Sequence, residues 1–258
     1  MHVILTGASS GIGEAIAKEY LSRGASLTMV ARRKDKLTEL SQGHEKRCHV
    51  VEADLTDYSH ATDFVDGAIE ALGPVDVLIN NAGVQIVKAA VLTPWADAER
   101  MMHLDLFTPL KLTHYVLPAM ITRGSGTIVD IASMAAIAPT PGMFFYNAAK
   151  GGLAAASEGL RGELRRTGVH VMTVYPGPVR TPMEEAGRKA YVETTAMKLL
   201  TPTGDADVLA RKICDGVASR RHRIVYPATY GVSRHFPNLT RFILDRMTPP
   251  LKALPAAK

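Results

Sequence analysis

A glycine-rich turn at residues 6–13 constrains the fold more than any other feature of this sequence. It follows an apolar run that predicts a buried strand over 2–5, and it precedes a pattern that predicts a helix over 11–22. Glycines at such a junction let the backbone approach a diphosphate, and the helix N-terminus offers free N–H groups. We therefore predict a phosphate-binding turn made of Thr6, Gly7, Ser9, Ser10, Gly11, Ile12 and Gly13.

Short apolar runs alternate with longer amphipathic stretches along most of the chain. This alternation is typical of right-handed βαβ units, in which helices cover both faces of a parallel sheet. Runs such as VDVLIN at 75–80 are apolar almost throughout, as in strands buried on both faces. We predict an α/β protein with a doubly wound, Rossmann-type fold: a mainly parallel sheet of about seven strands with helices on both faces. Since no Pro-, Gly- or Ser-rich linker interrupts residues 1–258, we expect one domain.

Two arginines follow the second predicted strand. In folds of this kind an acidic residue at this position holds the ribose diol of NAD, whereas an arginine can pair with the 2′-phosphate of NADP. The chain has Arg32 and Arg33 here and no acid, so we predict NADP(H) as the cofactor. After the third strand, Asp54 beside Leu55 could accept a hydrogen bond from the adenine amino group or cap the next helix, for which Asp57 is the better candidate.

Four further motifs follow in order along the chain. They are NNAG at 80–83, Ser133 thirteen positions before Tyr146, YNAAK at 146–150 and PGPVRT at 176–181. Together with the TGxxxGxG spacing of the turn, they make the sequence resemble the short-chain dehydrogenase/reductase family over about residues 1–182. The resemblance implies a cofactor site that includes Asn81, Ala82, Gly83, Tyr146, Lys150, Pro176, Gly177, Val179 and Thr181, with Thr181 on the nicotinamide carboxamide.

The tyrosine and lysine of the third motif suit acid–base chemistry. Tyr146 and Lys150 are four positions apart on a predicted helix and hence share a face. A nearby ammonium favours the phenolate, so we expect the pKa of Tyr146 to lie below its ordinary value of about 10. The phenol could then exchange a proton with a substrate oxygen. The resemblance implies that Ser133 donates a hydrogen bond to the same oxygen, in an oxidoreductase that moves a hydride between NADP(H) and an alcohol or carbonyl group.

One position departs from the family pattern. Many members carry a catalytic asparagine in the long helix after the fourth strand, and Asp105 stands at that position here. Aspartate is nearly isosteric with asparagine, but its carboxylate offers acceptors only and adds a negative charge. We therefore count Asp105 with the catalytic residues, as a group that could tune Lys150 and shift the pH optimum. A non-catalytic, cofactor-binding sensor or scaffold is the alternative that this departure favours.

Residues 182–203 are predicted to form an irregular, flexible lid over the substrate. Apolar residues in the lid and near the catalytic motif could hold a medium or large apolar alcohol or ketone, such as a steroid, a retinoid or an acyl-chain compound. Packing within the lid explains them equally well. They are Met183, Tyr191, Met197, Leu199 and Leu200 in the lid, and Ala135, Ile137, Met143 and Phe144 near the motif.

Residues 230–258 show the pattern of an amphipathic, basic helix. This tail could pack on the core, contact another subunit or lie on an anionic membrane surface. The last alternative would make the protein a membrane-surface lipid ketone reductase. The apolar positions are Phe236, Leu239, Phe242, Ile243, Leu244 and Met247, and the arginines among them are Arg234, Arg241 and Arg246.

Charge and cysteine content narrow the range of partners. The formal net charge of +5 is spread along the chain, unlike the long basic face of a nucleic-acid binder, so we expect no nucleic acid as a partner.

Cys48 and Cys214 lack the spacing of metal ligands, and the simplest interpretation is two thiols in a reducing compartment. Since we recognise no signal peptide and no apolar run of about 18 residues, we expect a cytoplasmic protein, with peripheral membrane contact as the alternative.

The helix predicted over 145–166 carries a row of small residues. The family resemblance implies that this helix and the long one before it build a homodimer or homotetramer, because small side chains let a second helix approach closely. The row consists of Ala148, Gly152, Ala155, Ala156 and Gly159.

Overall fold

A seven-stranded sheet forms the centre of the computed structural model, which describes residues 1–192, 202–231, 233 and 236–253, except the side chains of Pro237 and Met247. Its strand order is β3–β2–β1–β4–β5–β6–β7, and every pairing is parallel. The strands are β1 (His2–Thr6), β2 (Ser26–Ala31), β3 (Cys48–Glu52), β4 (Val77–Asn80), β5 (Gly126–Ile131), β6 (Val169–Pro176) and β7 (Arg223–Tyr226). The predicted doubly wound α/β fold is confirmed.

Helices connect the strands and cover both faces of the sheet. None of the helices described is long and apolar enough to cross a membrane. The helices are α1 (Gly11–Ser22), α2 (Lys34–Ser41), α3 (Val65–Leu72), α4 (Trp95–Met102), α5 (Thr108–Arg123), α6 (Phe144–Glu163), α7 (Pro182–Arg188), α8 (Ala206–Ala218) and α9 (Pro237–Met247).

Two apolar cores lie on the two faces of the sheet. Along β1, Val3 and Leu5 belong to one core and Ile4 to the other, because successive side chains of a strand point to opposite faces. The first core includes residues of α1, α2 and α8, and the second includes residues of α3 and α5. Strands covered in this way must be apolar throughout, which explains the uninterrupted hydrophobic runs of the sequence.

The strand order of the sheet reverses between β1 and β4, and this reversal determines where the site lies. From β1 the chain runs outwards through β2 to β3, and it then returns to place β4 on the other side of β1. The chain therefore leaves β1 and β4 towards helices on opposite faces of the sheet. In parallel sheets of this kind, ligands bind at the carboxyl ends of the strands beside such a reversal.

Two predicted helices differ from the observed ones. The sequence pattern over 58–72 predicts one helix, whereas the structure has a 3₁₀ turn at Tyr58–His60 followed by α3; Asp57 caps the turn by accepting a hydrogen bond from the Ser59 amide. This confirms Asp57 as the capping residue. The pattern over 97–121 also predicts one helix, and the structure has α4 and α5 there, separated by a π-helical segment, His103–Phe107.

The lid was expected to be irregular, and for residues 182–188 this is wrong. Helix α7 begins there because the Thr181 hydroxyl accepts a hydrogen bond from the Glu184 amide at 3.2 Å and Pro182 occupies the first turn. A capping threonine followed by proline is a helix-start signal that the sequence analysis overlooked. Met197, Leu199 and Leu200 of the predicted lid, and Arg234 of the tail, lie outside the described residues.

The two cysteines do not pair with each other. Cys48 is half-buried and Cys214 is buried, and both are free thiols, as expected. Burial raises the pKa of the Cys214 thiol to about 12, so this group stays protonated near neutral pH.

Candidate active site

A cavity of about 710 Å³ opens at the carboxyl edge of the sheet. Its walls come from the glycine-rich turn, the loops after β2 to β6, helix α7 and helix α9. Among the predicted site residues, those that line it are Gly7, Ser9, Ser10, Gly11, Ile12, Gly13, Arg32, Arg33, Asp54, Leu55, Asn81, Ala82, Gly83, Asp105, Ser133, Tyr146, Lys150, Pro176, Gly177, Val179 and Thr181.

Thr6 is the predicted site residue that does not line the cavity. Its side chain is buried behind the turn, where the hydroxyl accepts hydrogen bonds from the amides of Asn81 and Ala82, each at 3.0 Å. The Asn81 side chain in turn donates to the carbonyls of Thr6 and Gly7. Thr6 therefore positions the two loops that form the cavity wall. It was predicted to contact the cofactor directly, but its side chain does not reach the cavity.

Close packing explains the glycines of the turn. Gly7 has a positive φ of 69°, and a β-carbon at Gly13 would lie 2.1 Å from the Gly7 carbonyl oxygen. The side chain of Ser10, at the N-cap of α1, makes no capping hydrogen bond. The first N–H groups of α1 therefore face the cavity without a side-chain partner, as a bound diphosphate requires.

Positive charge lies at the same end of the cavity. The Arg33 guanidinium donates hydrogen bonds to the backbone carbonyl and the hydroxyl of Ser9, at 2.8 and 3.1 Å. Arg32 is exposed and makes no hydrogen bond or ion pair with any residue that the structure describes. An arginine in this state can pair with an incoming phosphate without first losing a protein partner.

Asp54 lies close to Arg32. Its carboxylate accepts hydrogen bonds from the amide and the hydroxyl of Thr56. Desolvation acts to raise the pKa of Asp54, but these hydrogen bonds and the charges of Arg32 and Arg100 outweigh it and lower the pKa. Asp54 is therefore an ionised acceptor at neutral pH, as a contact with an amino group would require.

Three side chains meet on the wall formed by α6 and the loop after β5. Tyr146 and Lys150 are almost completely buried on one face of α6, and the Ser133 hydroxyl, which accepts a hydrogen bond from the Ala135 amide at 3.1 Å, lies close enough to the Tyr146 phenol to lower its pKa. The Lys150 ammonium donates to the Ile131 carbonyl at 3.1 Å. The helical spacing and the end of β5 thus bring a phenol, a hydroxyl and an ammonium to one place.

The pKa of Tyr146 differs in its net direction from the sequence-based expectation. Burial raises the pKa of the phenol, and the negative charge of Asp105 acts in the same direction. The positive charge of Lys150 lowers it, as expected, and so does the nearby Ser133 hydroxyl, but the two together do not outweigh burial. The expected lowering was wrong because the sequence does not show how completely the phenol is buried.

The π-helical segment places Asp105 against Lys150. Asp105 is fully buried, with one carboxylate oxygen 3.3 Å from Lys150 Nζ and the other accepting a hydrogen bond from the Val84 amide at 2.9 Å. A β-carbon at Gly83 would lie 2.9 Å from the first oxygen, so this loop can approach only with glycine there. Single π turns within helices often occur at functional sites.

The buried pair determines the charge of Lys150. Desolvation acts to lower the pKa of this lysine, but the negative charge of Asp105 raises it, and the net direction is upwards. Desolvation also raises the pKa of Asp105, against the effect of the Lys150 charge. We take the pair to be ionised at neutral pH, since the two buried groups stabilise each other's charge.

A second buried acid, Asp130, supports the site from behind. It lies on β5 and accepts a hydrogen bond from the Asn80 side-chain amide at 2.8 Å, and Ser157 of α6 lies beside it. Burial raises the pKa of Asp130. No motif in the sequence singled out Asp130, which links β4 to β5 behind the wall that carries Tyr146 and Lys150.

The cavity continues beyond Tyr146 into an apolar chamber. Of the residues predicted near the substrate, Ala135, Met143, Met183 and Tyr191 line it. Ile137 and Phe144 do not, because Ile137 packs into a small core beside β6 and Phe144 points outwards with 63 % of its surface exposed. The chamber is also lined by residues that no sequence pattern placed there, namely Gln85, Tyr230, Leu239, Thr240, Ile243 and Leu244.

The comparisons with known proteins agree with this geometry. The family model described as short chain dehydrogenase matches residues 1–191, about three quarters of the chain. The chain belongs to the short-chain dehydrogenase family. It is therefore an oxidoreductase that acts on carbonyl or alcohol groups of small molecules and uses a nicotinamide cofactor.

Individual relatives of this short-chain dehydrogenase include reductases. A fatty acyl-CoA reductase of Mycobacterium tuberculosis is 37 % identical over 195 residues, 73 % of this chain and 66 % of the relative. A short-chain dehydrogenase of Sphingobium yanoikuyae, solved in complex with NADPH, is 28 % identical with a TM-score of 0.79, covering 99 % and 98 % of the two chains. A 3-ketoacyl-(acyl-carrier-protein) reductase of Brucella melitensis, solved with NADH, shares the fold at 23 % identity, with a TM-score of 0.76 over 87 % and 96 % of the chains.

Proposed function

We propose that this protein is an NADP(H)-dependent reductase of uncharged, medium-to-large apolar ketones or aldehydes. The observation that carries the proposal is a single cavity with two ends. Arg32 and Arg33 stand at one end and an apolar chamber lies at the other, with Ser133, Tyr146 and Lys150 between them.

The residues present fit the proposed cofactor. The turn between β1 and α1 would hold the diphosphate, Arg32 and Arg33 the 2′-phosphate, and Asp54 the adenine. Lys150 would hold the nicotinamide ribose, and Thr181 the carboxamide. The bound nicotinamide would supply the hydride.

The chain's own residues would supply the proton. A carbonyl carbon that gains a hydride leaves a negative oxygen, and transfer of the Tyr146 phenolic proton to that oxygen completes the alcohol. Ser133 would donate a hydrogen bond to the same oxygen, and the Lys150 ammonium would stabilise the phenolate left behind. Because the pKa of Tyr146 is raised, the phenol is protonated at neutral pH and suited to act as the acid in carbonyl reduction.

The chamber supports an uncharged substrate. Among the described residues that line it beyond Tyr146, the charged ones are Glu184 and Arg188, and they form an ion pair with each other. Arg188 also donates to the Thr203 hydroxyl at 3.1 Å. A small anionic aldehyde would find no unpaired cation on this part of the wall, whereas a hydrocarbon group would meet Met143, Met183 and Tyr191.

Turnover with defined cofactors tests the proposal directly. Purified protein is mixed with NADPH or NADH and a panel of aliphatic, cyclic and aromatic ketones, and oxidation of the cofactor is followed by absorbance. We expect NADPH oxidation with apolar ketones and little with carboxylated or sulfonated aldehydes. Tight NADPH binding without turnover of any carbonyl would favour a non-catalytic sensor instead.

Arg32→Ala should weaken NADPH binding by about 10- to 100-fold, because the variant loses one or two hydrogen bonds to a charged phosphate. NADH, which lacks the 2′-phosphate, should lose little affinity. Fluorescence titration of both cofactors measures the effect, and Lys34→Ala, a charge removed from the adjacent start of α2, is the matched control. Equal weakening for the two cofactors would place the phosphate contact elsewhere.

We also propose a homodimer or homotetramer with α6 at its interface. Ala148, Ala155 and Gly159 are exposed on this helix, and Trp95 and Phe144 beside it are 70 % and 63 % exposed, each packed edge-on against Phe145. A small-residue stripe bordered by exposed aromatic rings is typical of a surface that a second copy covers.

Ala155→Arg should convert the assembly into monomers, because a long charged side chain would stand in the helix–helix contact. Light scattering during size-exclusion chromatography measures the mass, and Ala71→Arg, at an exposed position of α3, should leave it unchanged. A wild-type protein that is monomeric at working concentration would contradict the proposal.

A further inference from the structure

Helix α9 forms one side of the apolar chamber, although it lies beyond the residues matched by the family model. Leu239, Thr240, Ile243 and Leu244 line the cavity. The last three lie one, four and five positions after Leu239, so all four share one face of the helix. The contribution of α9 to the site is therefore a property of this chain that the family motifs do not specify.

Two sets of contacts hold α9 over the chamber. The Arg241 guanidinium donates to the Pro139 carbonyl at 2.9 Å, in the loop that leads to α6. After α9, the chain pairs with the segment that follows α7, where the Val192 amide donates to the Pro250 carbonyl and the Lys252 amide to the Ala190 carbonyl, each at 3.0 Å. The helix, the lid and the loop before the catalytic helix thus form one connected wall.

The inner face of α9 presents apolar surface that the described protein leaves uncovered. Leu239 is 53 % exposed and Ile243 is 43 % exposed, although both line the same cavity as Tyr146. The outer face carries Phe242, which does not line the cavity and lies under the Arg246 guanidinium at 5.4 Å from the ring centre. The two faces can therefore be tested separately.

We propose that α9 selects substrates by the length of their hydrocarbon chain, with Leu239 and Ile243 as the specificity-determining residues. The inference rests on the proposed function, because it requires a carbonyl group held at Tyr146. An extended alkyl chain attached to that carbonyl would then run through the chamber and cover the inner face of α9. The occupant is uncharged, because the described ionic side chains around the chamber pair with each other.

A series of methyl ketones from methyl ethyl ketone to methyl nonyl ketone tests the proposal. In the wild-type protein kcat/KM should rise with each added methylene group, by at most about fourfold. The rise should appear mainly in KM, because an alkyl chain makes similar contacts in the ground state and the transition state. Leu239→Asp and Ile243→Asp should each flatten this dependence, and Ile243→Ala should flatten it partly.

Phe242→Asp is the matched control, since it places the same charge on the same helix but on the outer face. It should keep the chain-length dependence of the wild type. Circular dichroism and NADPH titration establish that each variant is folded. If Ile243→Asp and Phe242→Asp keep the same dependence as the wild type, α9 does not select the substrate, although the protein is still a reductase.

The test separates this inference from the proposed function. Absence of turnover for every ketone with the wild-type protein would overturn the proposed function and the inference that rests on it. Sedimentation with phosphatidylglycerol vesicles distinguishes a membrane contact. Vesicle binding that Phe242→Asp and Ile243→Asp both abolish, with unchanged chain-length dependence, would assign α9 to a lipid surface and overturn the proposal.

Discussion

Tyr146→Phe is expected to lower kcat for ketone reduction by about 10³-fold and to leave the affinity for NADPH almost unchanged. The substitution removes the phenolic proton donor but keeps the aromatic ring, which is buried in α6 with 7 % of its surface exposed. Single-turnover absorbance measurements at saturating ketone report the chemical step, and fluorescence titration reports binding.

A second tyrosine provides the control for this experiment. Tyr115 lies on α5 with 42 % of its surface exposed, and its hydroxyl donates to Asp66 at 2.8 Å. Tyr115→Phe removes a phenolic hydroxyl far from the cavity and should leave kcat unchanged. If Tyr146→Phe retained a tenth or more of the wild-type kcat, another group would have to supply the proton, and the proposed role of Tyr146 would be wrong.

Asp105→Ala should destabilise the protein by about 3–5 kcal/mol, the cost of leaving one member of a buried ion pair unpaired. Lys150 would keep its hydrogen bond to the Ile131 carbonyl but lose the carboxylate at 3.3 Å, and the Val84 amide would lose its acceptor. Urea unfolding followed by circular dichroism gives the free energy of unfolding. Glu39→Ala, which breaks the exposed pair with Lys36, should change it negligibly.

Asp105→Asn should shift the pH–rate profile to lower pH while destabilising the protein less than Asp105→Ala. Asparagine keeps an acceptor for the Val84 amide, so the loop geometry is preserved. The negative charge of Asp105 contributes to the raised pKa of Tyr146, so its removal lowers that pKa. Alcohol oxidation needs the phenolate as base, and its acidic limb should therefore move to lower pH.

The lower pKa of Tyr146 in Asp105→Asn also affects carbonyl reduction. Reduction needs the protonated phenol, and a lower pKa of Tyr146 means that the proton is lost at lower pH, so the alkaline limb also moves downwards. Steady-state rates in both directions across a constant-ionic-strength buffer series measure the two limbs. Profiles that superimpose on those of the wild type would show that Asp105 does not tune this site.

Features that depend on neighbours in the sequence were predictable. The bounds of α1 agree with the predicted ones, and the alternation of apolar runs and amphipathic stretches led to the correct fold class. Tyr146 and Lys150 share a face because a helix repeats every 3.6 residues. The glycine-rich turn, too, could be located without the structure, since a strand, a tight turn and a helix follow one another directly along the chain.

Other features depend on residues that meet only after folding. The raised pKa of Tyr146 results from burial and from Asp105, which reaches the site through a π-helical segment that no local pattern announced. The position of α9 likewise needed the structure: its amphipathic pattern was visible, but the face that it turns towards the cavity follows from the contacts of Arg241 and of residues 250–252 with distant loops.

The difference between the features that the sequence predicted and those that needed the structure has a physical cause. Backbone conformation and helical or strand periodicity are governed by steric and hydrogen-bonding terms that act over a few residues, so the Rossmann-type architecture and the positions of the motifs can be derived from the order of amino acids. Burial, ion pairing and the shape of a cavity sum contributions from elements far apart in the chain. The charge state of Tyr146 and Lys150, and the apolar wall that faces the substrate, therefore follow from the packing of α5, α6, α7 and α9 around one edge of the sheet.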